Sequence, residues 1–192
     1  MEKFYNYLKD KNIPFMKKDE IKNCFKEFES VWKQRFSFDK VMDTLRKKKL
    51  TYMFDNYWAI ISDDTIVLFQ KFLDFMDIPN YYGLETALYF NKKIWQPPLT
   101  YKLLNTEYTK TRISGGVKIE FIKIPENVYN RETLVSDVLR FSDYEKTILD
   151  LVFFDSNKTY YPDNISRFNL YLGLFQKYPR VGKKLLERGI IK

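Results

Sequence analysis

Residues 36–61 read FSFDKVMDTLRKKKLTYMFDNYWAII, the pattern of one helix followed by a tight hairpin. Ser37 stands where an N-cap hydroxyl accepts one of the orphan backbone N–H groups of a first helical turn. Phe38, Val41, Met42 and Leu45 follow at helical spacing and make one apolar face. At roughly 100° per residue, Lys40 and Lys47 point almost directly away from that face. Thr44 and Asp43 flank them, with Arg46 and Lys48 at the margins. The period then changes. Residues 50–54 and 57–61 are rich in aromatic and β-branched side chains, and Asp55-Asn56 between them is a turn signal. A helix with a basic outer face running into a hairpin is the plan of a winged helix-turn-helix, whose helix enters the major groove while the wing lies on the adjacent backbone. Any amphipathic helix beside a hairpin shows the same pattern, however. The tetrad Arg46-Lys47-Lys48-Lys49 also suits a solvated helix end, where cations complement the macrodipole.

The segments upstream fit the same plan. Residues 2–11 form a helix with Phe4, Tyr7 and Leu8 on one side. Pro14 disfavours helix at Ile13 and leaves room for a short first strand. A second helix starts near Lys18, where Asp19 and Glu20 suit its positive end. Ile21, Cys24, Phe25 and Phe28 share a face, which Val31 and Trp32 extend, and Cys24 is a small core residue.

Bulk properties narrow the function. The 192 residues allow one large or two small domains, and 45% hydrophobic with 18% aromatic content is enough for a packed core. The formal net charge is +8. Residues 1–61 hold 14 Lys/Arg against 9 Asp/Glu, and the remainder 19 against 16, so the excess concentrates where the winged helix is expected. A basic module points to polyanions, nucleic acid first, although a low-GC genome, which favours lysine codons, explains part of the charge. One cysteine and no histidine exclude disulfides within the chain, Cys/His zinc sites and a histidine base. No apolar run approaches signal-peptide or membrane-span length, which leads to the expectation of a soluble cytoplasmic protein without a membrane partner.

Beyond residues 62–64 a second domain is expected, giving domains 1–62 and 63–192 and an α+β fold: an N-terminal winged helix-turn-helix followed by a mixed α/β C-terminal domain. Its first helix covers residues 65–76, with Ile66, Phe69, Phe72, Leu73 and Met76 inward. A short helix follows Tyr81-Tyr82-Gly83, and Trp95-Gln96-Pro97-Pro98 is a stiff connection. Strands are expected at 101–104, 110–113 and 117–124, the last two joined by Ser114-Gly115-Gly116. Residues 133–138 suit a helical turn and 139–141 a strand. Ser142 and Glu145 form a capping box for a helix that is apolar nearly all round and therefore central. Helices from Pro162-Asp163, with Ile165, Phe168, Leu172 and Phe175 inward, and over 181–188 complete the chain.

Catalytic signatures are scarce. Gly115-Gly116 lacks the Lys-Ser/Thr of a phosphate loop. Glu120 and Lys123 are three apart on one strand and face opposite sides, whereas a metal-dependent nuclease needs its acid and lysine two apart. Asp143 and Glu145 are explained by capping, and Asp150 by a helix-surface or buried-pair role. No cofactor is indicated.

Two segments carry a resemblance. Tyr81-Tyr82-Gly83-Leu84-Glu85-Thr86-Ala87-Leu88 and Phe141-Ser142-Asp143-Tyr144-Glu145-Lys146-Thr147-Ile148-Leu149-Asp150 are similar to the aromatic-turn-helix and the acid-rich cap of AbiEi-type antitoxins. The strand block lies between them, and the resemblance spans about residues 36–155. The family's Gly before an aromatic at the wing is Asp55-Asn56-Tyr57 here, a departure that keeps the turn chemistry. The resemblance implies a non-enzymatic repressor of its own operon, paired with a nucleotidyltransferase-type toxin without a stable complex. Double-stranded operator DNA would meet Lys40, Thr44 and Lys47 in the groove, Arg46 and Lys48 on phosphates, and Tyr52, Asn56 and Tyr57 in the wing. A general winged-helix regulator with a ligand-binding or dimerisation domain, and a nucleic-acid-processing enzyme, are the alternatives. Oligomeric state has no signature in the sequence.

Overall fold

The computed structural model describes residues 2–11, 13–32, 37–48, 50–54, 56–60, 65–114, 116–136 and 139–191. The chain is α+β and divides into two compact units, Met1–Phe75 and Met76–Lys192. No helix among the described residues is long and apolar enough to cross a membrane.

The first unit runs α1 (Glu2–Asp10), β1 (Phe15–Lys17), α2 (Lys18–Trp32), α3 (Phe38–Lys47), β2 (Tyr52–Phe54), β3 (Tyr57–Ala59) and α4 (Thr65–Phe75). Its strands pair antiparallel in the order β1-β3-β2. Met16 lies opposite Trp58, and Phe15 opposite Ala59. The pleat sends successive side chains to opposite faces. Met16 and Trp58 therefore join Phe4, Leu8, Ile21, Phe25, Phe28, Val41, Met42 and Leu45 in one core. Phe15 and Tyr57 turn the other way and meet Phe72 and Phe75 of α4, at ring separations of 5.3 Å (Phe15–Phe75) to 5.9 Å (Tyr57–Phe72), within the range of favourable aromatic pairs. α4, assigned to the second domain by sequence pattern, thus groups with the first unit; the expected boundary at 62–64 lies outside the described residues.

Some local expectations change. Ser37 occupies the N-cap position of α3, but its hydroxyl makes no capping bond; its backbone carbonyl takes the Val41 N–H at 3.0 Å. Val31 and Trp32 are 71% and 45% exposed, so the last turn of α2 runs past the core. Trp32 instead carries the Lys3 ammonium over its ring at 4.3 Å. Cys24 is half-buried at the edge of the core. Ile66 is half-buried, and Met76 lies past the end of α4 and is exposed.

The second unit runs β4 (Asn80–Tyr82), α5 (Leu84–Phe90), β5 (Tyr101–Asn105), β6 (Lys110–Ser114), β7 (Val117–Lys123), β8 (Leu134–Val135), β9 (Phe141–Ser142), α6 (Tyr144–Phe153), α7 (Ile165–Leu172) and α8 (Pro179–Glu187). The strands form a mixed sheet in the order β6-β7-β5-β4-β9-β8, with β5 parallel to β7 and β4 parallel to β9. Gly116, at φ +81°, supplies the left-handed residue of the β6–β7 turn. Gly83 answers a different need: a Cβ there would stand 2.4 Å from Leu104 Cδ1, so a side chain where α5 leaves the sheet would displace Leu104.

α6 is the centre of this unit, buried from Glu145 to Phe153. Ile148, Leu149, Val152 and Phe153 pack with Phe168, Phe175, Val181 and Leu185, while Leu151 meets Tyr81, Leu84, Leu88 and Leu104. The helix start is shifted by one residue from the expected capping box. Ser142 is held in β9 opposite Leu134, so Asp143 becomes the N-cap and accepts the Lys146 N–H at 2.9 Å. Glu145 does not reach back to Ser142; its carboxylate accepts the Asn164 N–H at 3.0 Å, where α7 begins. Residues 133–136 likewise differ from the expected helix, and 137–138 lie outside the described residues. A 3₁₀ turn, Arg131–Thr133, ends there, because Asn130 caps it and the next residues pair with β9 as β8. Ile165 is 57% exposed, and Tyr171 takes the inward place on α7.

Lys146 and Asp150 have no exposed side-chain surface and form an ion pair one helical turn apart. Tyr81 closes the group: its hydroxyl donates to Asp150 Oδ2 at 3.0 Å and accepts from Lys146 Nζ at 3.0 Å. Burial pushes the Lys146 ammonium down and the Asp150 carboxyl up, each toward its neutral form, and their mutual attraction opposes both shifts. Asp143 is tied beside them by the Tyr171 hydroxyl at 2.7 Å and Arg167 Nε at 3.1 Å.

Removing one partner of such a pair strands a buried charge. Lys146→Met alone should cost about 3–5 kcal/mol, whereas Tyr81→Phe/Lys146→Met/Asp150→Leu together should recover most of it. Chemical denaturation measures both, and a single variant as stable as the wild type would contradict the assignment. Asp143→Ala should destabilise more than Ser142→Ala, because Asp143 carries the cap and two further bonds. The reverse order in thermal unfolding would contradict the shifted cap.

Candidate nucleic-acid interface

The outer side of α3 is where the sequence places a groove-facing set. Val41, Met42 and Leu45 are buried, so the core fixes the rotation of the helix and turns Lys40 and Lys47 outward. Both lysines are exposed and neither joins an ion pair among the described residues. Two helical turns separate them, about 10.5 Å along the axis. Asp39 and Asp43 share the exposed side, so the face is mixed in sign. Arg46 is engaged with Asp43 at 3.1 Å, and Lys48 with Glu2 at 3.3 Å. Both pairs are solvated and weak, and phosphate can compete for either cation. The Thr44 hydroxyl donates to the Lys40 carbonyl at 2.8 Å, and the side chain is half-buried.

The hairpin contributes less than its sequence implies. Asn56 is exposed in the turn, and Tyr52 lies in β2. Tyr57 does not stand free on the hairpin. It is half-buried, its ring edge-on to Phe72 and Phe75, with the Lys17 ammonium over it at 5.8 Å. Lys49 and Asp55 lie outside the described residues.

Three cations that the sequence reading passed over belong with this surface. Lys18, Lys22 and Lys26 are exposed along one side of α2 and join no ion pair among the described residues. With Phe25, Glu29, Phe38 and Asp39 they line a shallow depression of about 360 Å³ that reaches the first turn of α3. Their spacing of four residues was the available signal, since side chains four apart stack on one helix face.

The remaining ionisable groups are poorly placed for chemistry. Lys146 and Asp150 are sealed from solvent, and Asp143 and Glu145 hold the starts of α6 and α7. Glu120 pairs with Lys102 across β5 and β7, while Lys123 is exposed three residues on. No cluster of metal-ligating side chains occurs among the described residues.

Comparison with protein-family models finds none that matches the chain, and comparison with curated proteins finds no match either.

Lys40→Ala/Lys47→Ala should leave the melting temperature unchanged, because neither side chain packs. It should also lower the salt dependence of binding to double-stranded DNA by about 1 for each lost phosphate contact. Lys18→Ala/Lys22→Ala/Lys26→Ala should weaken binding to all sequences alike, as phosphate contacts do. Unchanged affinity in both variants, read by fluorescence anisotropy across a salt series, would reject this surface.

Proposed function

We propose that the protein is a DNA-binding, antitoxin-like transcriptional regulator that represses its own operon and counteracts a nucleotidyltransferase-type toxin. One observation carries the DNA-binding part. The element order α1-β1-α2-α3-β2-β3, with a sheet of order β1-β3-β2, supports a winged-helix reading, and the third helix turns outward two lysines that join no ion pair among the described residues. The major groove, about 12 Å wide, admits one such helix. Lys40 and Lys47 would reach into it, with Arg46, Lys48 and the α2 lysines on flanking phosphates.

The antitoxin part rests on the resemblance of residues 81–88 and 141–150 to AbiEi-type antitoxins. These residues build β4 with α5 and β9 with α6, and the two strands pair side by side. Tyr81, Lys146 and Asp150, one from the first segment and two from the second, meet in a single buried group. Such residues define a scaffold rather than a contact surface, so what they support is a shared domain architecture. The competing reading, an ordinary winged-helix regulator whose second domain binds a ligand or dimerises, draws support from an open groove in the second unit.

Charge reversal in the full chain separates the two. Lys40→Glu/Lys47→Glu should release repression of a reporter driven by the protein's own promoter while still rescuing cells that express the neighbouring toxin. Loss of rescue together with repression would mean that the protein only limits toxin expression. Failure of the wild type to rescue would favour the ordinary regulator.

A further inference from the structure

Residues 94–100, IWQPPLT, join α5 to β5 as an apolar arm. Trp95 is 98% exposed and Leu99 93%, the two most exposed large hydrophobic side chains among the described residues. Pro97 and Pro98 restrict the backbone between them, so the arm loses little entropy on docking. Nothing in the first unit's proposed role uses it.

The arm forms one wall of an open groove of about 1260 Å³. Lys102, Glu120 and Ile122 line it from the sheet, and Leu151 and Phe154 from the end of α6. Small-molecule pockets run to roughly 300–1,000 Å³ and enclose their ligands. An open groove beyond that size, walled by exposed tryptophan and leucine, suits a chain segment.

The charges on the groove indicate which segment. Lys102 is neutralised by Glu120, Lys93 by Asp163, and Asp155 by Lys184 and Arg188. Glu85 and Lys158 also line the groove, and neither joins an ion pair among the described residues. One anion and one cation left on the same surface are self-complementary. In a two-fold contact residue i meets residue j and j meets i, so each would face its opposite on the second copy. Two chains of net charge +8 repel in general, and a surface with no net charge is where they approach at least cost.

We propose that the arm at 94–100 docks into the groove of a second copy of the chain, making a two-fold dimer through the second unit. Trp95 and Leu99 anchor the contact, and Glu85 pairs with Lys158 of the other copy. The assignment is independent of the DNA-binding proposal.

Sedimentation velocity of the full chain, without DNA, tests it. The wild type should sediment as a dimer of the 23.4 kDa chain at micromolar concentration. Trp95→Ser/Leu99→Ser should weaken association at least tenfold while the circular dichroism spectrum stays that of the folded chain, since both side chains are solvated in the single chain; the melting temperature falls only by the stabilisation that association adds. Should that variant fail to fold, Gln96→Arg keeps both anchors, introduces like charge into both grooves and should also dissociate the dimer. Glu85→Lys should weaken the dimer, and Glu85→Lys/Lys158→Glu should restore it, which happens only if the two residues meet across copies. Ile113→Ser, at the 74% exposed position on edge strand β6, should change nothing. A wild type that is monomeric at every concentration overturns the proposal. So does a dimer that survives loss of the arm, a charge swap that fails to restore association, or a dimer broken by Ile113→Ser.

Discussion

An ammonium and a carboxylate with no access to water sit one turn apart on α6, and the second unit is arranged around keeping them satisfied. Each ion taken from water costs several kcal/mol, by order of magnitude, and only excellent geometry offsets that. Lys146 supplies the cation, Asp150 the anion, and Tyr81 a hydroxyl bonded to both. The Tyr81 hydroxyl reaches them from β4, tying that strand to α6. Gly83 follows β4, and a Cβ there would force the buried Leu104 side chain of β5 to shift. The polar group links β4 to α6, and the apolar contacts around it pack the rest of the helix.

The first unit solves a different problem. A three-stranded sheet with only three residues per strand is marginal alone and needs cover. Helices α1 to α3 cover the face bearing Met16 and Trp58, and α4 covers the face bearing Phe15 and Tyr57. This arrangement leaves the outer side of α3 uncovered within the unit, and that side carries Lys40 and Lys47. Burial on one side of the helix is thus what presents cations on the other, and the DNA-binding proposal depends on that coupling. Tyr57 shows the same logic in reverse: packed against α4, it does not stand free on the hairpin.

Periodicity made the larger features legible. The apolar face of α3, the hairpin after it, the alternation of Ile119 and Phe121 in β7 and the enclosed position of α6 all follow from side-chain spacing. Features decided by partners far along the chain were not legible. Ser142 and Asp143 are both good caps, and the choice between them is made by the pairing of β9 with β8. Tyr81 and Tyr82 are buried together, so β4 shows no alternation and read only as a lead into α5. Asp150 reads from the sequence as a surface or a buried-pair residue alike, because its partner Tyr81 lies 69 residues away. On the candidate interface, α3 stood out by its face. The α2 lysines were obscured by Asp19, Glu20, Glu27 and Glu29 on the same helix.

The proposed function assigns DNA binding to the first unit, while the second unit carries the antitoxin resemblance and the proposed dimer contact. Hydrogen–deuterium exchange of the full chain, with and without its promoter DNA, tests the central claim most directly. Added DNA should slow exchange over residues 37–48 and 52–60 and at the N-terminal half of α2, and leave the sheet of the second unit unchanged. Protection confined to residues 76–192, with α3 unaffected, would contradict it.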